Sequence, residues 1–235
     1  GYINTMGYVS VYASTVYAAT LILGATCSIA TDGSFIASKF FNYVIFSVLV
    51  VITFFMTCVP TALLNKLNLY YIYMQVGMLV VFIIVLAAVT PSDLVNTPSF
   101  VFINFENTGY WKNNVWAFMM SFLTPVWVVS GFESAATIAE EASNAAKAVP
   151  FAMVSSLVAA AIAGWAVVLA IAFCMGGDVI TIITSPLGQP VAQILLNSLG
   201  KPGSIAMLTM LWVCSLENCS ILMVAASREV FAFSR

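Results

Sequence analysis

Two carboxylates stand inside apolar runs, where a lipid-spanning helix should have none. Glu133 lies in the stretch Pro125, Trp127, Ser130-Gly131-Phe132-Glu133-Ser134, and Glu217 lies beside Asn218 in the last apolar run. Burial opposes the charged form of an acid, so such groups can exchange a proton near neutral pH. Glu133 has a further feature, because Pro125 and Gly131 weaken the helix that carries it. A helix broken at mid-membrane frees backbone N–H and C=O groups, which must be satisfied again by protein, water or a bound ligand. Trp127, Ser130, Gly131, Phe132 and Glu133 are therefore the candidate substrate-binding residues, and Glu133 and Glu217 the candidate proton-coupling residues. Glu133 leads, since its protonation can alter contacts with the freed backbone and the substrate. Glu217 has a supporting part, with a structural pair to Asn218 or another helix as the competing role.

The chemistry that the chain lacks narrows the choice. It has no histidine, which removes the commonest general base and metal ligand and with it Ser-His-Asp and Cys-His catalysis. No phosphate loop or metal cluster is present, and neither a cofactor nor a metal is expected. A net charge of −2 does not suggest a nucleic-acid partner.

Of 235 residues 62% are hydrophobic and 7% charged, with a mean hydropathy of +1.05. Soluble domains carry about 25% charged residues, so the composition describes an integral membrane protein without room for a separate soluble domain. The cysteines Cys27, Cys58, Cys174, Cys214 and Cys219 all fall in apolar runs and read as small core hydrophobes. The chain begins at Gly1 and stops at Arg235 just after a helix, as an excerpt from a longer protein would.

About 20 apolar residues cross a bilayer, and six such spans place the two acids. They run over about 6–30, 42–59, 69–89, 115–139 (the broken one), 151–175 and 203–227, with a short external helix at about 190–199 that is too short to span. A turn at Asn65-Lys66-Leu67-Asn68 leads into the third span. Thr90 to Asn114 is a polar segment, and Trp111 and Trp116 are placed near its end as interface aromatics would be. Beyond Glu133, the residues Thr137, Glu140, Asn144 and Lys147 fall with it in an arc of about 80° if the helix continues. In the fifth span Ser156, Ala160 and Gly164 recur every four residues, a spacing that lets a neighbouring backbone approach. Alternation of six spans puts Lys66, Lys147, Arg228 and Arg235 on one side of the membrane and Lys39, Lys112 and Lys201 on the other, a weak positive-inside bias.

The block from Trp127 through Gly131, Phe132 and Glu133 to Glu140-Glu141-Ala142-Ser143-Asn144, Lys147 and Pro150 resembles the sixth helix and following loop of the amino acid–polyamine–organocation permeases, most of all the fungal branch for amino acids, GABA and choline. The run Ala226-Ser227-Arg228 to Ser234-Arg235 is similar to the cytoplasmic end of that family's eighth helix, and Gly188-Gln189-Pro190 to its segment between helices seven and eight. The resemblance covers the whole chain. It implies an all-α membrane fold in which the six spans are helices three to eight of a twelve-helix, inverted-repeat transporter. It also implies cytoplasmic Lys66, Lys147 and Arg228, a plasma-membrane location, and a Trp127 that walls the substrate pocket, since a similarly spaced tryptophan stacks on a cationic substrate in bacterial relatives. Helix one, which in that family shares the substrate site, is absent, so this chain alone should not transport.

The function expected on these grounds is secondary active transport by alternating access, coupled to protons, of a small substrate such as an amino acid, GABA, choline or a polyamine. The alternatives are a membrane receptor or channel, or a fragment that does not transport. A channel should show polar residues on several helices, whereas intramembrane acids occur on two. An enzyme is not expected, because Ser130 has no histidine partner.

Overall fold

A computed structural model describes residues 2–105, 107, 111–137 and 144–233. Among them there are ten helices and no strand. Six helices are long and apolar enough to cross a membrane. The chain divides into two compact units, the first formed by Gly1–Ser92 with Thr181–Arg235 and the second by Asp93–Ile180.

Helices α1 (Tyr2–Ala30), α2 (Lys39–Thr57), α3 (Thr61–Val89) and, numbered in chain order, α10 (Pro190–Phe233) build the first unit. Helix α1 is its centre and packs against both α2 and α10. It can, because its buried positions are mostly small: Ala19, Thr20, Gly24, Ala25 and Ser28. Without a hydrophobic drive in lipid, close backbone approach of this kind is what holds helices together. Val16 and Ala19 of α1 meet Leu49 of α2 and Cys219 of α10, ringed by Tyr12, Phe46, Trp212 and Leu216. The Tyr12 and Thr53 hydroxyls tie α1 to α2 at 2.6 Å. On the outside, Phe40, Tyr43 and Phe55 of α2 and Tyr73 and Ile84 of α3 are exposed, as lipid-facing residues must be.

The helix ends follow local chemistry. Helix α1 stops where Asp32 and Gly33 take positive φ (54° and 78°), and the Gly33 N–H donates to the Ser28 carbonyl at 2.9 Å, a bond that satisfies a carbonyl left over at a helix end. Helix α2 starts from Ser38, whose side chain accepts the Phe41 N–H. Helix α3 begins at Thr61, immediately after Pro60, so the turn expected at Asn65-Lys66-Leu67-Asn68 is helical instead. None of those four residues breaks a helix, and the gap between α2 and α3 has already been made at Cys58–Pro60.

The short helix expected at 190–199 and the span expected from 203 to 227 are the two arms of α10, which bends at Gly200 (φ 68°, ψ −176°). That backbone conformation is open only to glycine at low cost. The second arm starts at Lys201, whose ammonium pairs with Asp32 at 2.7 Å, and reaches Phe233.

The second unit holds α4 (Pro98–Phe102), α5 (Asn114–Ser121), α6 (Leu123–Val129), α7 (Ser134–Thr137) and α8 (Ala145–Cys174); α9 (Val179–Ile183) lies at the division between units. Helix α8 starts six residues before the expected Phe151, at Ala145, after Asn144 turns the chain with φ 61°. Pro150 therefore sits inside the helix and forfeits one backbone hydrogen bond. At the other end Asn96 serves the unpaired carbonyls of α8: its side-chain N–H group reaches the Ala172 carbonyl at 2.8 Å and its backbone N–H reaches that of Phe173 at 2.8 Å.

Among the cysteines, Cys174 and Cys219 are buried, Cys27 and Cys214 are partly buried, and Cys58 is exposed. Cys58 is thus no core residue; it closes α2 in the turn before Pro60. The acids Glu106, Glu140 and Glu141, the stretch 138–143 and Arg235 lie outside the described residues.

Candidate functional site

The fourth span breaks in two steps, each set by one residue. Pro125 has no N–H to give the Ser121 carbonyl, and the bonds beside it tighten or lengthen: the Phe122 N–H reaches the Met119 carbonyl at 3.3 Å and the Val126 N–H that of Phe122 at 3.2 Å. The helix resumes as α6 and then stops. Ser130 is extended (φ −72°, ψ 164°) and Gly131 has φ 91°, a left-handed value that strains any residue with a Cβ.

Side chains of the same stretch cover the groups that the break frees. The Ser130 hydroxyl donates to the Trp127 carbonyl at 2.8 Å. The Ser134 hydroxyl and N–H both donate to the Gly131 carbonyl, at 2.8 and 3.1 Å. The Gly131 N–H donates to Glu133 Oε2 at 3.1 Å. Glu133 thus folds back on the break, and an ionised carboxylate is the stronger acceptor for that N–H.

Trp127 and Phe132 flank the break with their rings exposed, while Gly131 and Glu133 are partly buried. The five residues read from the sequence are brought together by adjacency along a single broken segment. Helix α8 supports it from behind. A Cβ at Gly164 would lie 2.7 Å from Val128 Cγ1, so α6 and α8 approach closely beside Trp127. The four-residue spacing of Ser156, Ala160 and Gly164 pointed to α8, but no signal in the sequence named Val128 as the partner.

Two expectations are corrected. The polar arc from Glu133 through Thr137 to Asn144 and Lys147 does not lie on one helix, because Glu133 sits in the turn before α7 and Asn144 is left-handed just before α8. Nor does Glu217 pair with Asn218. Glu217 belongs to the first unit, is 5% exposed, and its Oε2 has no hydrogen-bond partner among the described residues. Asn218 is exposed, since consecutive helical residues point about 100° apart. The Ser220 hydroxyl donates to the Glu217 backbone carbonyl at 2.8 Å, not to the carboxylate.

The family model described as amino acid permease matches residues 1–235. An amino-acid permease of Schizosaccharomyces pombe that carries no assigned substrate is 45% identical over 235 residues, covering 100% of this chain and 42% of the relative. The GABA-specific permease of Saccharomyces cerevisiae is 30% identical over 216 residues, 91% of this chain and 38% of the relative. An amino-acid permease of Neurospora crassa is 31% identical over 176 residues, 75% of this chain and 32% of the relative. The chain thus spans less than half the length of these relatives. No solved structure matches. With six apolar helices and a family match along its whole length, the chain is a multi-pass integral membrane protein that belongs to the amino acid permease family.

Proposed function

We propose that this chain carries the substrate-binding break of a permease, and that the full-length protein moves a small amino acid or amine across the plasma membrane by alternating access coupled to protons. The observation that carries the reading is the hydrogen bond from the Gly131 N–H to the Glu133 carboxylate across a glycine-centred break. It puts a titratable group on the backbone that a substrate would use, so protonation and substrate contact act on the same atoms. Trp127 offers an exposed indole next to it, and an aromatic face holds a cation at about 0.5–2 kcal/mol. A transporter also accounts better for the chain than an enzyme does, since its relatives carry the name permease.

The substrate class follows from the same site. A carboxylate and an indole face suit a substrate bearing an ammonium group, which includes amino acids, GABA and polyamines, and choline by its quaternary ammonium. Cells producing the full-length protein, compared with cells lacking it, are given a panel of labelled amino acids, GABA, choline and polyamines. The reading requires saturable, pH-dependent uptake of at least one of them. Saturable uptake of none would favour a receptor.

A further inference from the structure

The first unit encloses a cavity with an unserved hydrogen-bond acceptor in its wall. It measures about 80 Å³ and lies where the end of α1, the start of α2 and the turn at 186–188 meet. One water requires about 10–15 Å³, so there is room for a molecule of several non-hydrogen atoms. Asn42, in the first turn of α2, lines the cavity, and its Oδ1 is buried without a hydrogen-bond partner among the described residues. Gly24 of α1 keeps the space beside that oxygen. A Cβ there would stand 3.1 Å from Ala37 Cβ and 3.9 Å from Asn42 Oδ1, crowding one wall and filling the room next to the acceptor.

The backbone donors around the cavity are committed. The Leu187 N–H goes to the Ser185 hydroxyl at 3.3 Å, and the Gly188 N–H to the Ser185 carbonyl at 3.2 Å. The Asn42 N–H goes to the Ser38 carbonyl at 3.0 Å. Ser28, at 6% exposure, is the second polar side chain in the wall. Its carbonyl already accepts the Gly33 N–H and the Thr31 hydroxyl, while its own hydroxyl is able to donate or accept. The other walls are apolar side chains and glycine, with no charged residue among them. An ion entering would lose its hydration without a counter-charge. A neutral hydroxyl meets the wall on its own terms: its O–H donates to Asn42 Oδ1, its oxygen accepts from Ser28, and a short carbon body lies against Leu21 and Leu187. An apolar lining with a few placed polar groups is the usual make-up of a small-molecule site.

We propose that this cavity binds a small neutral molecule that carries a hydroxyl group on a short apolar body, an alcohol of a few carbons. The substrates considered for the broken helix all bear an ammonium group, so the two sites differ in chemistry. The cavity's ligand does not rest on the transport reading.

Fluorine NMR of the full-length protein in lipid nanodiscs tests the site, with trifluoropropanol as the probe and protein-free nanodiscs as the baseline. Saturation should pass from protein to probe with a saturable dependence on dose, and propanol should displace the probe while choline should not. Asn42→Leu removes the acceptor and should weaken binding about three- to tenfold, the worth of one hydrogen bond. Gly24→Ala should also weaken it, by filling the room beside Asn42. A signal no greater than that of protein-free nanodiscs would mean that water alone occupies the cavity, and would overturn the proposal. Unchanged binding in either variant would place the probe elsewhere and overturn it too, and displacement by choline would overturn the neutral ligand. Should Asn42→Leu fail to fold, Gly24→Ala decides.

Discussion

Adding one methyl group at Gly164 should destabilise the protein in the wild type and stabilise it once Val128 is shortened. The Cβ of Gly164→Ala would lie 2.7 Å from Val128 Cγ1, about 0.7 Å inside the start of ordinary contact. Val128 has little room to yield, because a β-branched side chain in a helix is held near one χ1 value. Relief must come from moving α6 against α8, and overpacking of this sort costs about 1–3 kcal/mol. Against that, alanine is favoured over glycine inside a helix by about 0.5–1 kcal/mol. In wild type the clash wins; in a Val128→Ala background only the helix preference remains. Thermal unfolding of the full-length protein in detergent, measured for the two single variants and the double variant, gives the coupling, expected at about 1–3 kcal/mol. A Gly164→Ala variant equally stabilising in both backgrounds would refute the close approach of α8 to the broken segment.

Three further outcomes follow from other parts of the chain. Thr53→Val removes the partner of the Tyr12 hydroxyl and should lower stability by about 1–3 kcal/mol; adding Tyr12→Phe should restore much of it, read by the same unfolding assay. Ser92→Cys and Ala146→Cys, both at exposed positions, should label from opposite sides of the membrane in a background without the native cysteines, and labelling of both on intact cells by an impermeant reagent would contradict the topology. Trp127→Leu should raise the apparent KM for uptake several-fold with surface expression intact, whereas an unchanged KM would place the indole against lipid.

Helix existence was legible because apolar runs of this length have few other fates, and the first span expected to end at 30 is α1, which stops at Ala30. Boundaries were less so. The polar residues Asn65 and Lys66 read as a turn, yet polarity near a helix start does not break a helix, and Pro60 had already opened α3. The bend at Gly200 is hidden in the sequence because a glycine followed by Lys201 and Pro202 looks like a gap between two helices. At the candidate site, Pro125, Gly131 and Glu133 announced the break through residue type alone. The hydrogen bond of Glu133 to the Gly131 N–H needed coordinates, since it depends on the direction in which a flexible side chain folds. Val128 was beyond reach for a different reason: it matters through Gly164 on another helix, and residue types along one segment do not say which helices meet.

The most direct test of the broken helix as the coupled site is the pH dependence of substrate exchange in Glu133→Gln. Glutamine keeps the size of the side chain and mimics the protonated acid, so it retains an oxygen near the Gly131 N–H but cannot titrate. Full-length protein reconstituted in liposomes, with labelled substrate identified by the uptake panel, should bind that substrate in both forms. Exchange by the wild type should vary with pH, and exchange by Glu133→Gln should be flat across the same range. A variant that binds substrate and keeps the wild-type pH profile would contradict the account.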